Sequence, residues 1–319
     1  LFLEDLKLLN IKVPTFIVRS TEAIEEIICI ISKLLEKEHA YYYKGDIYFD
    51  PTKFKGFGKL YGIDMTKWPK KKIRFKRDNY SYNMWNLGDF ILWHSCKDEN
   101  YPCWDAPIGR GWPAWNVQDP GIILHSLGTK VDICCGGIDN RLMHHDYNIA
   151  IMESYSGEDF CPYWLHGHHL FVDGKKMSKR KKNILYIEDL IEKGYSTKEI
   201  RFFLIYSHYS EKMNFTYRKF EKVSKKLNMF LEMISNIISK KNIEYSTPEV
   251  PKLIETISPI FEKNMGNDLN VKNAFDNVFE IIKELNSLKM DGKISDKDSS
   301  RINDIIHRID EVLKVIFTN

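Results

Sequence analysis

The stretch Val172–Ile184 reads VDGKKMSKRKKNI. It sets Met177 and Ser178 between lysines directly after an Asp-Gly turn, and three more cations follow in Arg180, Lys181 and Lys182. A solvated charge run has no need of the methionine. A buried strand would not accept the lysines. The surroundings decide between these readings. Upstream, YWLHGHHLFVDG (163–174) alternates like a strand and delivers the chain to the lysine loop. Before it, KVDICCGG (130–137) reads as a strand running into a Gly-rich turn, and MHHDYNIAIMES (143–154) as a helix. Downstream, Ser196 and Glu199 form an S-x-x-E capping box ahead of IRFFLIYSHY (200–209).

Further out the pattern continues. Asp119-Pro120 predicts a helix start, with Asp119 as N-cap, Pro120 in the first turn and Gly128 just past the end. DFILWH (89–94) and GDIYFD (45–50) are strand signals, whereas residues 101–115 are too crowded with Trp and Pro for a regular element. Ile24, Ile27, Ile28, Ile31, Leu34 and Leu35 predict an amphipathic helix over 21–38, with Ser20 as N-cap. Residues 66–77 hold seven cations interrupted by Trp68, Pro69 and Phe75, which fits a solvated loop or a phosphate-backbone contact with an aromatic platform. After about residue 209 the strands stop, and helices are expected near 217–241, 248–264, 271–287 and 298–316. Strands alternating with helices, then helices only, predict an α/β domain followed by a helical bundle.

Composition bounds the rest. The 319 residues suffice for one large or two ordinary domains, and 43% hydrophobic content excludes a disordered chain. A net charge of +3 means that any polyanion must be met by local patches. Cys29, Cys96, Cys103, Cys134, Cys135 and Cys161 lack paired spacing, which predicts mostly free thiols in a reducing, cytoplasmic setting. No apolar run reaches membrane-spanning length.

KMSKR (176–180) resembles the KMSKS signature loop of class I aminoacyl-tRNA synthetases, with Arg180 in the last place. Its context is similar to cysteinyl-tRNA synthetase. LEDLKLLNIKVPTFIVRSTEAIEEII (3–28), GGIDNRLMHHDYNIAIMES (136–154), HHLFVDGKKMSK (168–179), IRFFLIYSHYSEKMNFT (200–216) and NDLNVKNAFDNVFEIIKEL (267–285) run in that family's order. The resemblance implies the later part of a doubly wound, Rossmann-like catalytic domain at 1–209, with an insertion at about 40–115, and a helical tRNA-contacting domain at 210–319. It also implies a two-step reaction. Cysteine and ATP, with magnesium, form cysteinyl-adenylate, and the cysteine then passes to the 3′-terminal adenosine of tRNA(Cys), in a monomeric enzyme.

Lys176, Ser178 and Lys179 are the implied catalytic positions. Mobile ammonium groups stabilise the charge that builds on the phosphates as pyrophosphate leaves. Lys179 and Met177, with Gly136, Gly137 and Asp139, are the implied ATP positions. Trp115, His144 and His145 are the implied substrate pocket. Lys181 and Lys182 replace a Gly-rich continuation common in the family, and their cations either face solvent or meet tRNA or phosphate. In the bundle, YRKFEKVSKKLN (217–228) is the expected tRNA contact.

The pattern breaks in two places. The family's zinc, which holds the substrate thiolate, is implied to use an early Cys, a later Cys, and a His and Glu four apart. Here Asp119 occupies the later Cys position, His144 is kept and Asn148 stands at the Glu position. Zinc is therefore absent or rebuilt, His144 being the retained candidate ligand. Cys134 and Cys135 would be replacement ligands or small buried residues. The HIGH-type motif that seats ATP does not occur in this sequence, and HGHH (166–169) lies in the wrong place to be it. The chain opens at Leu1 inside a helix-like pattern and stops with the bundle, which predicts a fragment or a truncated relative. Two other readings fit the same residues: a cysteine-activating ligase acting on a small amine, and a non-catalytic tRNA-binding relative.

Overall fold

The computed structural model describes residues 2–62, 64, 89–96 and 102–317. The basic stretch 66–77 lies outside the described residues. The chain divides into two compact units, Pro14–Gly167 and a second made of Leu1–Val13 with His168–Asn319. A short helix, α1 (Phe2–Leu8), belongs to the second.

In the unit Pro14–Gly167, helix α2 (Ile24–Glu36) buries Ile24, Ile27, Ile30, Ile31 and Leu34 on one face. Ser20 does not cap it. A separate 3-10 turn, Ser20–Glu22, intervenes, and Ala23, fully buried, forms the joint. Strands β1 (Ala40–Tyr43), β2 (Asp46–Phe49), β3 (Phe90–Ser95) and β4 (Gly111–Pro113) make an antiparallel sheet in chain order. Lys44 and Gly45, both at positive φ, turn β1 into β2 as a two-residue hairpin. Phe90 on β3 stacks on Tyr147 with ring centroids 3.9 Å apart, so the inserted sheet shares a core with the helix that carries Tyr147. Beyond β3, Cys96 is bonded to Cys103, with Cα atoms 6.2 Å apart. Spacing did not foretell this pair, while Cys29, Cys134, Cys135 and Cys161 are free, in keeping with the expectation of mostly free thiols.

Helix α3 spans Trp115–Leu127 and starts a full turn before the expected Asp119. Ala114 occupies the N-cap position, so Asp119 and Pro120 are interior residues. Packing sets the earlier start. Val117 is fully buried and the Asn116 amide donates to the Ile91 carbonyl, which pulls the first turn onto β3. Gly121 allows α3 to lie against α2, since a Cβ there would sit 2.3 Å from Ile27 Cγ1.

Strand β5 (Ile133–Gly137) leads through a π-helical turn (Arg141–His145) into α4 (Asp146–Ser156), and β6 (Tyr163–Gly167) returns parallel to β5. A helix between parallel strands is the unit from which doubly wound sheets are built. Helix α4 is buried from Asp146 through Met152, and the Asp146 carboxylate accepts from the backbone N–H groups of Leu60 and Tyr61.

In the second unit, β7 (Leu170–Val172) pairs antiparallel with β8 (Lys175–Lys176) and parallel with β9 (Met213–Phe215). The alternation read over 163–174 is thus two strands in two sheets. The break falls at His168, whose N–H donates to the Tyr209 carbonyl. Helices α5 (Ile187–Glu192) and α6 (Thr197–Tyr206) fill the crossover to β9. The Ser196–Glu199 capping box forms as expected, with the Glu199 carboxylate accepting from the Ser196 N–H at 2.8 Å. The bundle follows as α7 (Tyr217–Ile238), α8 (Glu249–Met265), α9 (Val271–Met290) and α10 (Asp296–Leu313), each within a few residues of its expected place. Phe220, Phe230, Ile257, Phe275, Ile282 and Ile306 form its dry centre. Each such side chain contributes about 1.5–3 kcal/mol by leaving water. Arg201 fastens the chain ends, donating from Nε to the Leu313 carbonyl and from Nη1 to that of Leu9. Among the described residues no helix is long and apolar enough to cross a membrane.

Candidate active site

The implied site residues fall into one group in each unit. In Pro14–Gly167 they gather where β5 ends and α3 and α4 begin. His144 Nε2 donates to Asp119 Oδ2 at 2.6 Å, and the Trp115 ring stacks on the imidazole with centroids 4.6 Å apart. Trp115 is 54% exposed, so it is a platform with one open face rather than a core aromatic. Asp119, no longer a helix cap, is a hydrogen-bonded partner. Burial works against its charge, but hydrogen bonds from His144 and Asn148 and the neighbouring imidazoles outweigh that cost and hold its carboxyl below the usual range.

His145 lies next to this pair. Its Nδ1 is 2.8 Å from His166 Nε2, and Trp164 packs against both rings. Burial first, then the neighbouring His166 and His144, push His145 down to about 4. Burial and Arg141 push His166 down as well. Two neutral imidazoles can share one hydrogen bond, one donating and one accepting. The Gly-Gly end of β5 makes room for this arrangement. A Cβ on Gly136 would lie 2.5 Å from His145 Cε1, and one on Gly137 would lie 2.7 Å from Asp139 Oδ1. Gly136, Gly137, Asp139 and His145 are therefore one corner, and Trp115, Asp119, His144 and Asn148 its neighbour. His166 is the member that sequence reading missed. Its signal was the HGHH run, set aside as misplaced for a HIGH motif.

Zinc does not fit the residues present. Of the three family positions that this sequence contains, His144 and Asp119 are the donors of a type that zinc takes, and they are bonded to each other. Asn148 contributes a neutral amide whose Oδ1, like His144 Nδ1, is buried without a hydrogen bond among the described residues. Cys134 and Cys135 do not replace the missing ligands. As successive residues of a strand they point to opposite faces. Cys135 is exposed, which also excludes the small-buried-residue reading for it, and burial and the nearby Cys161 push the Cys134 thiol up to about 12. A thiol held protonated is a poor ligand. Among the described residues no cluster of three His, Cys, Asp or Glu side chains is arranged to hold a metal.

In the second unit the lysine loop closes β8. Asp173 and Gly174 make the hairpin turn at positive φ, and the Met177 N–H donates to the Leu170 carbonyl. The Met177 sulfur accepts from the Leu185 N–H at 3.5 Å, which anchors the loop inward. Ser178 caps the 3-10 turn Lys179–Lys181, its Oγ accepting from the Lys181 N–H. Lys179, Arg180, Lys181 and Lys182 are exposed, while Lys176 is half-buried. Lys182 holds φ +51°, ψ +34°, a left-handed conformation natural to glycine. Cations are thus offered to solvent from a backbone held by apolar and hydroxyl anchors.

The fold is that of the class I synthetases. Methionyl-tRNA synthetase from Mycobacterium tuberculosis, solved in complex with methionyl-adenylate, superposes with a TM-score of 0.64 at 13% identity, covering 98% of this chain and 75% of that one. A family profile described as the tRNA synthetases class I (C) catalytic domain matches residues 1–226, and one described as the DALR domain matches residues 260–317. The cysteine–tRNA ligases of Chlamydia pneumoniae and Leptospira interrogans are each 34% identical over 99% of this chain and 67% of their own length. The chain belongs to the cysteine–tRNA ligase family of class I synthetases.

Proposed function

We propose that the chain performs its family's reaction, activating cysteine with magnesium-bound ATP and charging tRNA(Cys). In the first step a carboxylate oxygen of cysteine attacks the α-phosphorus of ATP, the bond between the α-phosphorus and the leaving oxygen breaks, and pyrophosphate departs. In the second, a ribose hydroxyl oxygen of the terminal adenosine attacks the aminoacyl carbon, its proton is lost and AMP leaves. Lys179 and Lys176 offer positive charge to the departing pyrophosphate, with Ser178 shaping the turn and Met177 anchoring it. Gly136, Gly137 and Asp139 form the nucleotide's backbone-close seat. Trp115, His144 and His145 line the cysteine pocket, which works without a resident zinc.

Residues 1–209 carry the chemistry in this reading and 210–319 the tRNA contacts. In α7, Arg218, Lys222 and Lys225 are exposed at i, i+4 and i+7 on one face, suited to phosphates. The protein acts as a cytoplasmic monomer. The observation that carries the proposal is the lysine loop, with Lys179 exposed on a capped turn. Its test is Lys179→Ala in cysteine-dependent ATP–pyrophosphate exchange. A loss of about 100- to 1000-fold is expected, as for removal of one transition-state contact. Unchanged exchange with slightly weaker tRNA binding would favour a non-catalytic binder.

A further inference from the structure

The lysine loop is held at two points by residues outside its motif. Lys176 Nζ donates to His169 Nε2 at 2.9 Å. His169 lies immediately before β7, opposite the end of β8 in the hairpin whose register pairs Phe171 with Lys176. The second point is Asn183. Its Oδ1 accepts from the Ser178 N–H at 3.0 Å, and its Nδ2 donates to the carbonyls of Lys175 and Lys176, each at 3.3 Å. One amide therefore bridges the end of β8 and the start of the 3-10 turn, which closes the loop into a ring. Carbonyls and an amide N–H pointing into a tight turn need such a partner, because a backbone polar group left unmet away from water is costly.

We infer that His169 and Asn183 are positioning residues for adenylate formation, His169 by aiming the Lys176 ammonium and Asn183 by fixing the backbone of the loop. The inference rests on the reading that this loop serves the first step. Pyrophosphate exchange with the full-length gene product tests it. His169→Leu is expected to lower kcat about three- to tenfold, the scale of one hydrogen bond, with KM for cysteine unchanged. His169→Gln, whose side-chain oxygen can accept from Lys176, recovers most of the loss. In a Lys176→Ala background His169→Leu costs nothing further, because the group through which it acts is gone. Equal losses in the Leu and Gln variants, or full additivity with Lys176→Ala, would overturn the role of His169.

Asn183→Ala is expected to speed tryptic cleavage at Lys179–Lys182 several-fold and to lower kcat, with the melting temperature unchanged. Asn183→Asp, which keeps only the acceptor, falls between. Cleavage and kcat both at wild-type values would remove Asn183 from the inference. If Lys176→Ala and Lys179→Ala both left exchange untouched, the role of the loop would fall and this inference with it.

Discussion

The Trp115–His144 corner and the lysine loop both carry charge-bearing side chains, and the protein holds them by opposite means. In the corner, polar groups turn inward onto each other. His144 meets Asp119, His145 meets His166, and two aromatic rings cover them. In the loop, the four cations from Lys179 to Lys182 turn outward, and the backbone is fastened by Met177, Ser178 and Asn183. A binding pocket needs fixed geometry, so its groups must satisfy one another in a half-dry setting. A group that meets a highly charged phosphate needs its charge unspent. The lysines of the motif survive in the loop, where a held backbone presents their charge. They are rewritten in the corner, where Asp119 and Asn148 now complete a hydrogen-bonded set.

The comparison can be broken at several points. After the loss expected for Lys179→Ala, the next largest effect falls in the corner. Asp119→Ala strands Nε2 of His144, whose side chain is 9% exposed, and is expected to cost about 1–3 kcal/mol in urea unfolding. Asp119→Asn keeps an acceptor and should cost less; equal costs would mean that the contact is idle.

Asp276, in the bundle, offers a control that belongs to neither site. Burial opposes its charge, but hydrogen bonds from Lys226, Lys272 and Tyr206 outweigh this and hold its carboxyl below the usual range. A carboxylate with a depressed folded value stabilises the fold above its unfolded value, near 3.9, and loses that contribution as pH falls through the folded value. Asp276→Asn is therefore expected to cost about 1–2 kcal/mol at pH 7, with the difference from wild type shrinking below pH 4. A difference that does not change between pH 7 and pH 3 would contradict this.

Lys182→Gly relaxes a left-handed residue and is expected to stabilise the protein by up to about 1 kcal/mol in thermal unfolding. The smallest effect is expected from a chelator. Stripping tightly bound metal, then restoring magnesium, should leave cysteine activation unchanged. Loss of activity that zinc alone restores would show that the corner works with a metal after all.

Much of this was legible in the residues. Helix α2 and the four bundle helices follow from apolar spacing, because an amphipathic helix must bury a stripe whatever lies beneath it. The Ser196–Glu199 box was legible because both partners are three residues apart. Less local features were not. Asp119-Pro120 has the local chemistry of a helix start, yet burial of Val117 and the Asn116–Ile91 bond begin the helix at Trp115. The Cys96–Cys103 bond depends on how β3 and β4 meet, which cysteine spacing does not disclose.

The sequence by itself determined the family, the lysine loop and the alternation of strands and helices that becomes a helical bundle. These rest on motifs and periodicities that span a few residues at a time. Only the tertiary structure decided that Asp119 belongs to His144, that His145 and His166 share a hydrogen bond, and that His169 and Asn183 hold the loop. His144–Asp119 and His145–His166 join residues 25 and 21 positions apart. Such contacts form only once the backbone has been placed, because a hydrogen bond needs atoms within about 3 Å and nothing in a linear pattern specifies that distance.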